Sequence, residues 1–253
     1  MRQLPALFTL AICAALALYG PIAQFEDYHR FADQTVFLGV AHAGDVLSNA
    51  AFALIAVWGI WRLWPVESHG YRLFLAGLLL TAFGSGYYHL APDNARLVWD
   101  RLPIALTCAG LLAAMRAECG VATNEARDAL LLAVAAVAGV LWWRVTDLHG
   151  AGDLRWYLLF QILPLVLIPL WQAIGRASRA RRLAVAAAIA LYAAAKLAEL
   201  YDHQLLAVLR VASGHTLKHL LAALAAFVLL PGERIIRKSR SAIDAGSTVS
   251  PTS

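Results

Sequence analysis

Along the 253-residue chain, apolar side chains gather into runs of about twenty, separated by short polar stretches. Eight runs stand out, at roughly 4–23, 45–64, 71–90, 101–118, 128–146, 155–174, 183–201 and 212–231. A helix needs about 20 mostly apolar residues to cross a bilayer. In lipid the backbone must satisfy its own polar groups, which selects helices. The pattern predicts an all-α, polytopic transmembrane bundle with no soluble domain and no clear internal repeat. It divides the chain into an N-terminal membrane anchor (1–24), a membrane domain (25–232) and a polar, disordered cytoplasmic tail (233–253). The first run has the basic start of a signal peptide. Tyr19-Gly20-Pro21 interrupts any small-x-small cleavage site, so a retained anchor is expected.

Composition strengthens this picture. Hydrophobic residues make up 61% of the chain and charged residues 15%, with a mean hydropathy of +0.65. Soluble domains are about 45–50% apolar and about 25% charged, so the excess is too large for one buried core. Cys13, Cys108 and Cys119 are too scattered for a disulfide framework or a zinc knuckle. The net charge of +5 does not point to nucleic acid, because the basic residues sit in loops between apolar runs. With the N-terminus inside, thirteen Lys and Arg fall on inner segments and six on outer ones, the latter including Arg101. That bias places both termini in the cytoplasm.

Ionisable groups within spans are costly and mark functional sites by default. Ser85 and His89 are four apart and share a helix face, with Gly84 and Gly86 beside them to admit a close neighbour. Pro92 ends that span and Asp100 opens the next. His215 and His219 repeat the four-residue spacing, which lets two imidazoles bind one ion. By the topology above, all five residues lie at one depth, near the outer leaflet. Three imidazoles with a free fourth position suit catalytic zinc. A bis-histidine haem is disfavoured, because His89 has no second histidine on its own helix. Lys196 and Glu199, three apart, suit a structural pair. Lys218 can snorkel to the interface. Asp45 and Asn49 share a face and suit bonding across helices or to an ion.

These residues resemble the alkaline ceramidase family, within the wider superfamily of seven-helix membrane hydrolases that includes the adiponectin-receptor-like proteins. The resemblance rests on Ser85 and His89, on Asp100 eleven residues later, and on His215-x-x-x-His219. Asp45-Val46-Leu47-Ser48-Asn49 resembles the family's first-helix motif, and Tyr28 to Gln34 resembles its bacterial relatives. The similarity covers about 25–232, a seven-helix core, with the first span as an addition. It implies a zinc amidase that cleaves the N-acyl bond of ceramide, a membrane lipid. His89, His215 and His219 would ligate zinc, Asp100 would deprotonate water, and Ser85 would steady the oxyanion. It also implies calcium ahead of the first family helix. Glu26, Asp27, Asp33 and Asp45 are the carboxylates nearby, and His42 stands where a glutamate is expected. Rival expectations are a zinc hydrolase acting on an ester or glycolipid, and a non-catalytic metal-containing receptor or sensor. A structural zinc needs neither the aspartate nor the serine.

Overall fold

The computed structural model describes residues 3–232, so the predicted tail at 233–253 lies outside the described residues. Apolar helices dominate it. In chain order they are α1 (Leu4–Tyr19), α2 (Ala43–Ser48), α3 (Ala50–Leu63), α4 (His69–Leu90), α5 (Asn94–Glu118), α6 (Glu125–Leu148), α7 (Arg155–Ile174), α8 (Arg179–Leu200), α9 (Asp202–Leu209) and α10 (Gly214–Leu229). A small antiparallel hairpin, β1 (Val36–Phe37) and β2 (Val40–Ala41), precedes α2.

Six segments are long and apolar enough to span a membrane: α2 with α3, then α4, α5, α6, α7 and α8. A seventh forms if α9 and α10 are taken together across their 101° bend. This is the build of a multi-pass membrane protein. Two of the eight predicted runs fall short: the last, α10, has 16 residues and crosses only together with α9. The first is a helix of 16 residues, shorter than a full crossing, because Gly20 leaves helical geometry at φ 92° and Pro21 follows. Side chains such as Leu54, Trp61, Phe83, Leu130 and Val134 are exposed, as lipid-facing positions should be.

Polar caps start the crossings. Ser68, Asp93, Asn124, Ser178 and Ser213 each accept a backbone N–H from the first turn of α4, α5, α6, α8 and α10. The closest packing joins α4 to α5. Gly70, Gly77 and Gly84, seven apart, press against Ala114, Thr107 and Trp99 of the antiparallel partner. A Cβ on Gly84 would come within 1.9 Å of the Trp99 carbonyl oxygen. Pro103 has no N–H to offer that carbonyl from one turn on, so the oxygen faces the bare Gly84 Cα instead. Gly86, expected to serve the same purpose, has open space around it. This contact fixes the end of α4, with His89, against the start of α5, with Asp100.

At the opposite end of the bundle, Arg181 Nε is 2.8 Å from Glu118 Oε2, and its Nη2 donates to Tyr71 Oη and the Leu229 carbonyl. One guanidinium therefore ties α4, α5, α8 and the C-terminus of α10.

Candidate metal centre

Two helices deliver the three imidazoles. His89 lies in the last turn of α4, and His215 and His219 lie in the first two turns of α10. All three are buried, and one nitrogen from each falls within 4.8 Å of the others. His89 Nε2 and His215 Nε2 are 3.2 Å apart. Zinc–nitrogen bonds of about 2.0–2.1 Å at tetrahedral angles separate ligand nitrogens by about 3.3 Å. The triad therefore fits a small divalent ion.

The second nitrogen of His219 shows how its ring is held. Nδ1 is 2.8 Å from Ser48 Oγ, and the Ser48 hydroxyl donates to the Asp45 carbonyl at 3.1 Å. Ser48 has one proton to give, so it accepts from His219 Nδ1–H. That tautomer leaves Nε2 free as a ligand. Ser85 and Asp100 are both buried and line the same end of a cavity as His215 and His219. The five residues expected to form one site are brought together.

Asp100 corrects a boundary. It was expected to open a span, but α5 begins at Asn94, so Asp100 lies nearly two turns inside the helix. Arg101, assigned to an outer loop, is likewise inside α5 and 1% exposed. Lys218 does not run to the interface. Its Nζ turns inward, 2.5 Å from Glu199 Oε1 and 3.4 Å from His215 Nε2. Glu199 also holds Lys196 at 2.5 Å, the pair anticipated from their spacing.

The segment Tyr28–Gln34 covers the site. The Phe31 ring packs edge-on against His89 and His215, with centroids 4.7 and 4.4 Å away. His29 bridges Tyr88 Oη and Asn94 Oδ1, each at 2.8 Å. Asp202 joins the cover to the metal helix. One oxygen accepts the Ala32 N–H and the other the His215 N–H, both at 2.8 Å.

The carboxylates considered for calcium have other partners. Asp33 accepts from the Thr35 N–H and hydroxyl and from the Asp45 N–H. Burial alone would raise its carboxyl, but these bonds outweigh it and hold Asp33 below the usual carboxylate range. Asp45 Oδ1 accepts from Ser213 and Thr216, which secures α2 to α10. Glu26 and Asp27 are exposed in the loop. Among the described residues, the histidine triad is the group of three or more His, Cys, Asp or Glu placed to share one ion.

A cavity of about 860 Å³ leads away from this centre. Ser85, Asp100, His215 and His219 line one end. Phe74, Leu111, Ile168, Val185, Ala188 and Leu229 line its course toward the opposite end. Val185 and Glu199 of α8 both face it, so it runs about 21 Å, fourteen residues at about 1.5 Å each.

Sequence reading missed Ser48 as a partner of the metal ligands, and Asp202 and Phe31 as parts of the site. The Ser48 signal lay in its place one residue before Asn49, within a motif already noted. Asp202 stands among the polar groups at the outer end of its apolar run and Phe31 within the Tyr28–Gln34 stretch, but their roles depend on how a loop folds back. Comparison of this chain with family models, with curated proteins and with solved structures finds no match.

Proposed function

We propose that this protein is a zinc-dependent amide hydrolase acting on an N-acyl lipid, of which ceramide is the type suggested by family resemblance. One observation carries the reading: a buried triad of histidines stands at the end of a long apolar cavity that Asp100 and Ser85 also line. A structural metal site would have no use for the cavity, the carboxylate or the hydroxyl. A long acyl chain would lie along the cavity, its amide carbonyl between Ser85 and the histidines.

His89, His215 and His219 would hold the ion. Zinc supplies Lewis acidity, making water acidic near neutrality and drawing electron density from a carbonyl. Asp100 accepts a proton from the attacking water and passes it to the departing amine nitrogen as the C–N bond breaks. Ser85 stands beside Asp100 at that end of the cavity, and its hydroxyl can donate to the oxygen that gains charge. Phe31 and the segment around it exclude bulk water, which strengthens these interactions.

Elemental analysis is expected to find about one zinc per chain, lost in a His215→Ala/His219→Ala double variant. Asp100→Asn is expected to keep its zinc and to lose about 10²–10⁴-fold in release of fatty acid from an N-acyl lipid. Zinc retained by the histidine variant would remove the ligands. Equal release by Asp100→Asn would remove the proton-transfer role.

A further inference from the structure

Arg101 is a fully buried cation at the cavity that the mechanism above does not use. It is 1% exposed and lines the cavity beside Asp100. The other well-buried basic side chains have carboxylate partners: Arg181 with Glu118 at 2.8 Å, Arg155 with Asp153 at 2.8 Å and Lys218 with Glu199 at 2.5 Å. Among the described residues, Arg101 has no such ion pair. Its Nη2 donates to Gln24 Oε1 at 2.6 Å, while Nε and Nη1 are buried without a hydrogen-bond partner. Asp100 lies within electrostatic range but forms no ion pair with it.

Aromatic rings hold the guanidinium in place. Its carbon is 4.0 Å from the Trp143 ring centroid and 5.2 Å from those of Tyr28 and Tyr157. Ring faces stabilise a cation but give its N–H groups no acceptor. A buried cation with two free donors is costly unless an anion completes it. The remaining charged residues lining the cavity do not compete for that anion from the same place. Lys196, Glu199 and Lys218 are engaged with one another, Asp202 accepts two backbone amides, and Asp27 and Arg30 are exposed at the mouth.

We propose that Arg101 receives an oxyanion, carboxylate or phosphate, carried by the polar end of the lipid that occupies the cavity. The inference deepens the amidase reading and rests on it for the N-acyl bond. The preferred substrate is then an N-acyl lipid with an anionic head, in place of ceramide, whose head is neutral.

Three matched lipids test this by equilibrium binding to the whole protein in phosphatidylcholine nanodiscs. N-palmitoylglycine and N-palmitoylethanolamine differ by a carboxylate against a hydroxymethyl group, and N-palmitoylphosphoethanolamine supplies the phosphate. Wild-type protein is expected to bind the two anionic lipids about 10- to 100-fold more tightly than the neutral one, the worth of a hydrogen bond to a charged group. Whichever anion binds more tightly identifies the source of the oxyanion. R101Q is expected to erase the preference and R101K to keep part of it. The His215→Ala/His219→Ala variant is expected to preserve it, because the anion does not sit on the imidazoles.

Equal binding of all three lipids by wild-type protein overturns the proposal, even if R101Q fails to fold. A preference that survives in R101Q, or vanishes in the histidine variant, also overturns it. Fatty-acid release is scored separately. Preference without release from any lipid removes the amidase reading and leaves the Arg101 site. Release without preference does the reverse.

Discussion

Ser48 illustrates how a residue that touches no substrate can govern a metal site. Its hydroxyl is committed to the Asp45 carbonyl, so it can only accept from His219 Nδ1–H. Removing it frees the ring to turn and to place its proton on the wrong nitrogen. Partners of this kind are worth about 10–100-fold in metal affinity. Ser48→Ala is therefore expected to lose zinc to a competing chelator at about 10–100-fold lower chelator concentration, with the fold unchanged. Unaltered zinc retention would show that the packing of Phe52 and the neighbouring histidines holds the ring by itself. The triad was legible in the sequence because four-residue spacing on a helix survives any error in the helix's ends. Arg101 was not. The polar stretch from Asp93 onward looks like a loop by hydropathy, yet Asp93 caps a helix whose first two turns are covered by Gln24, Tyr28 and His29 of the segment ahead of α2.

At the scale of elements, α4 and α5 carry the reactive groups on a contact that hydropathy does not register. Glycines at 70, 77 and 84 are unremarkable in an apolar run, and only their common spacing of seven aligns them with one partner. The six longest apolar spans were legible because lipid demands one kind of helix throughout. The close approach of two of them was not, since it depends on which faces meet. Gly84 is the most constrained position, because a backbone carbonyl faces it and cannot rotate away like a side chain. Gly84→Ala is expected to cost about 1–3 kcal/mol, the usual range for overpacking. Gly86→Ala, into open space, should be neutral or slightly favourable, as alanine is the better helix former. Thermal unfolding in detergent would compare the two. A similar loss in both would mean that helix geometry, not the α4–α5 contact, sets the cost.

For the whole molecule, the polar ends divide the labour. One end gathers the histidines, Asp100 and their covering loop, and the other is clamped by Arg181, Glu118 and Tyr71. The cavity between them would act as a measure of acyl length. Ala188 faces it well away from the metal ligands. Ala188→Phe is expected to shift the preferred substrate toward shorter acyl chains with zinc content unchanged, measured by release from N-acyl lipids of graded length. An unchanged length profile would mean that the chain lies elsewhere.

The bend between α9 and α10 bears on the membrane itself. The sixteen residues of α10 rise only about 24 Å, against a hydrocarbon thickness of about 30 Å. Leu220, Leu224 and Phe227 face outward along α10, while Val208 and Leu209 are exposed on the crosswise α9. A bilayer that thins to meet this low rim would still be crossed fully by the 22 to 25 residues of α4, α5 and α6. The leaflet beside His215 and His219 would then be drawn inward. A lipid standing there would have its head group lowered toward the depth of the histidines before leaving the bilayer.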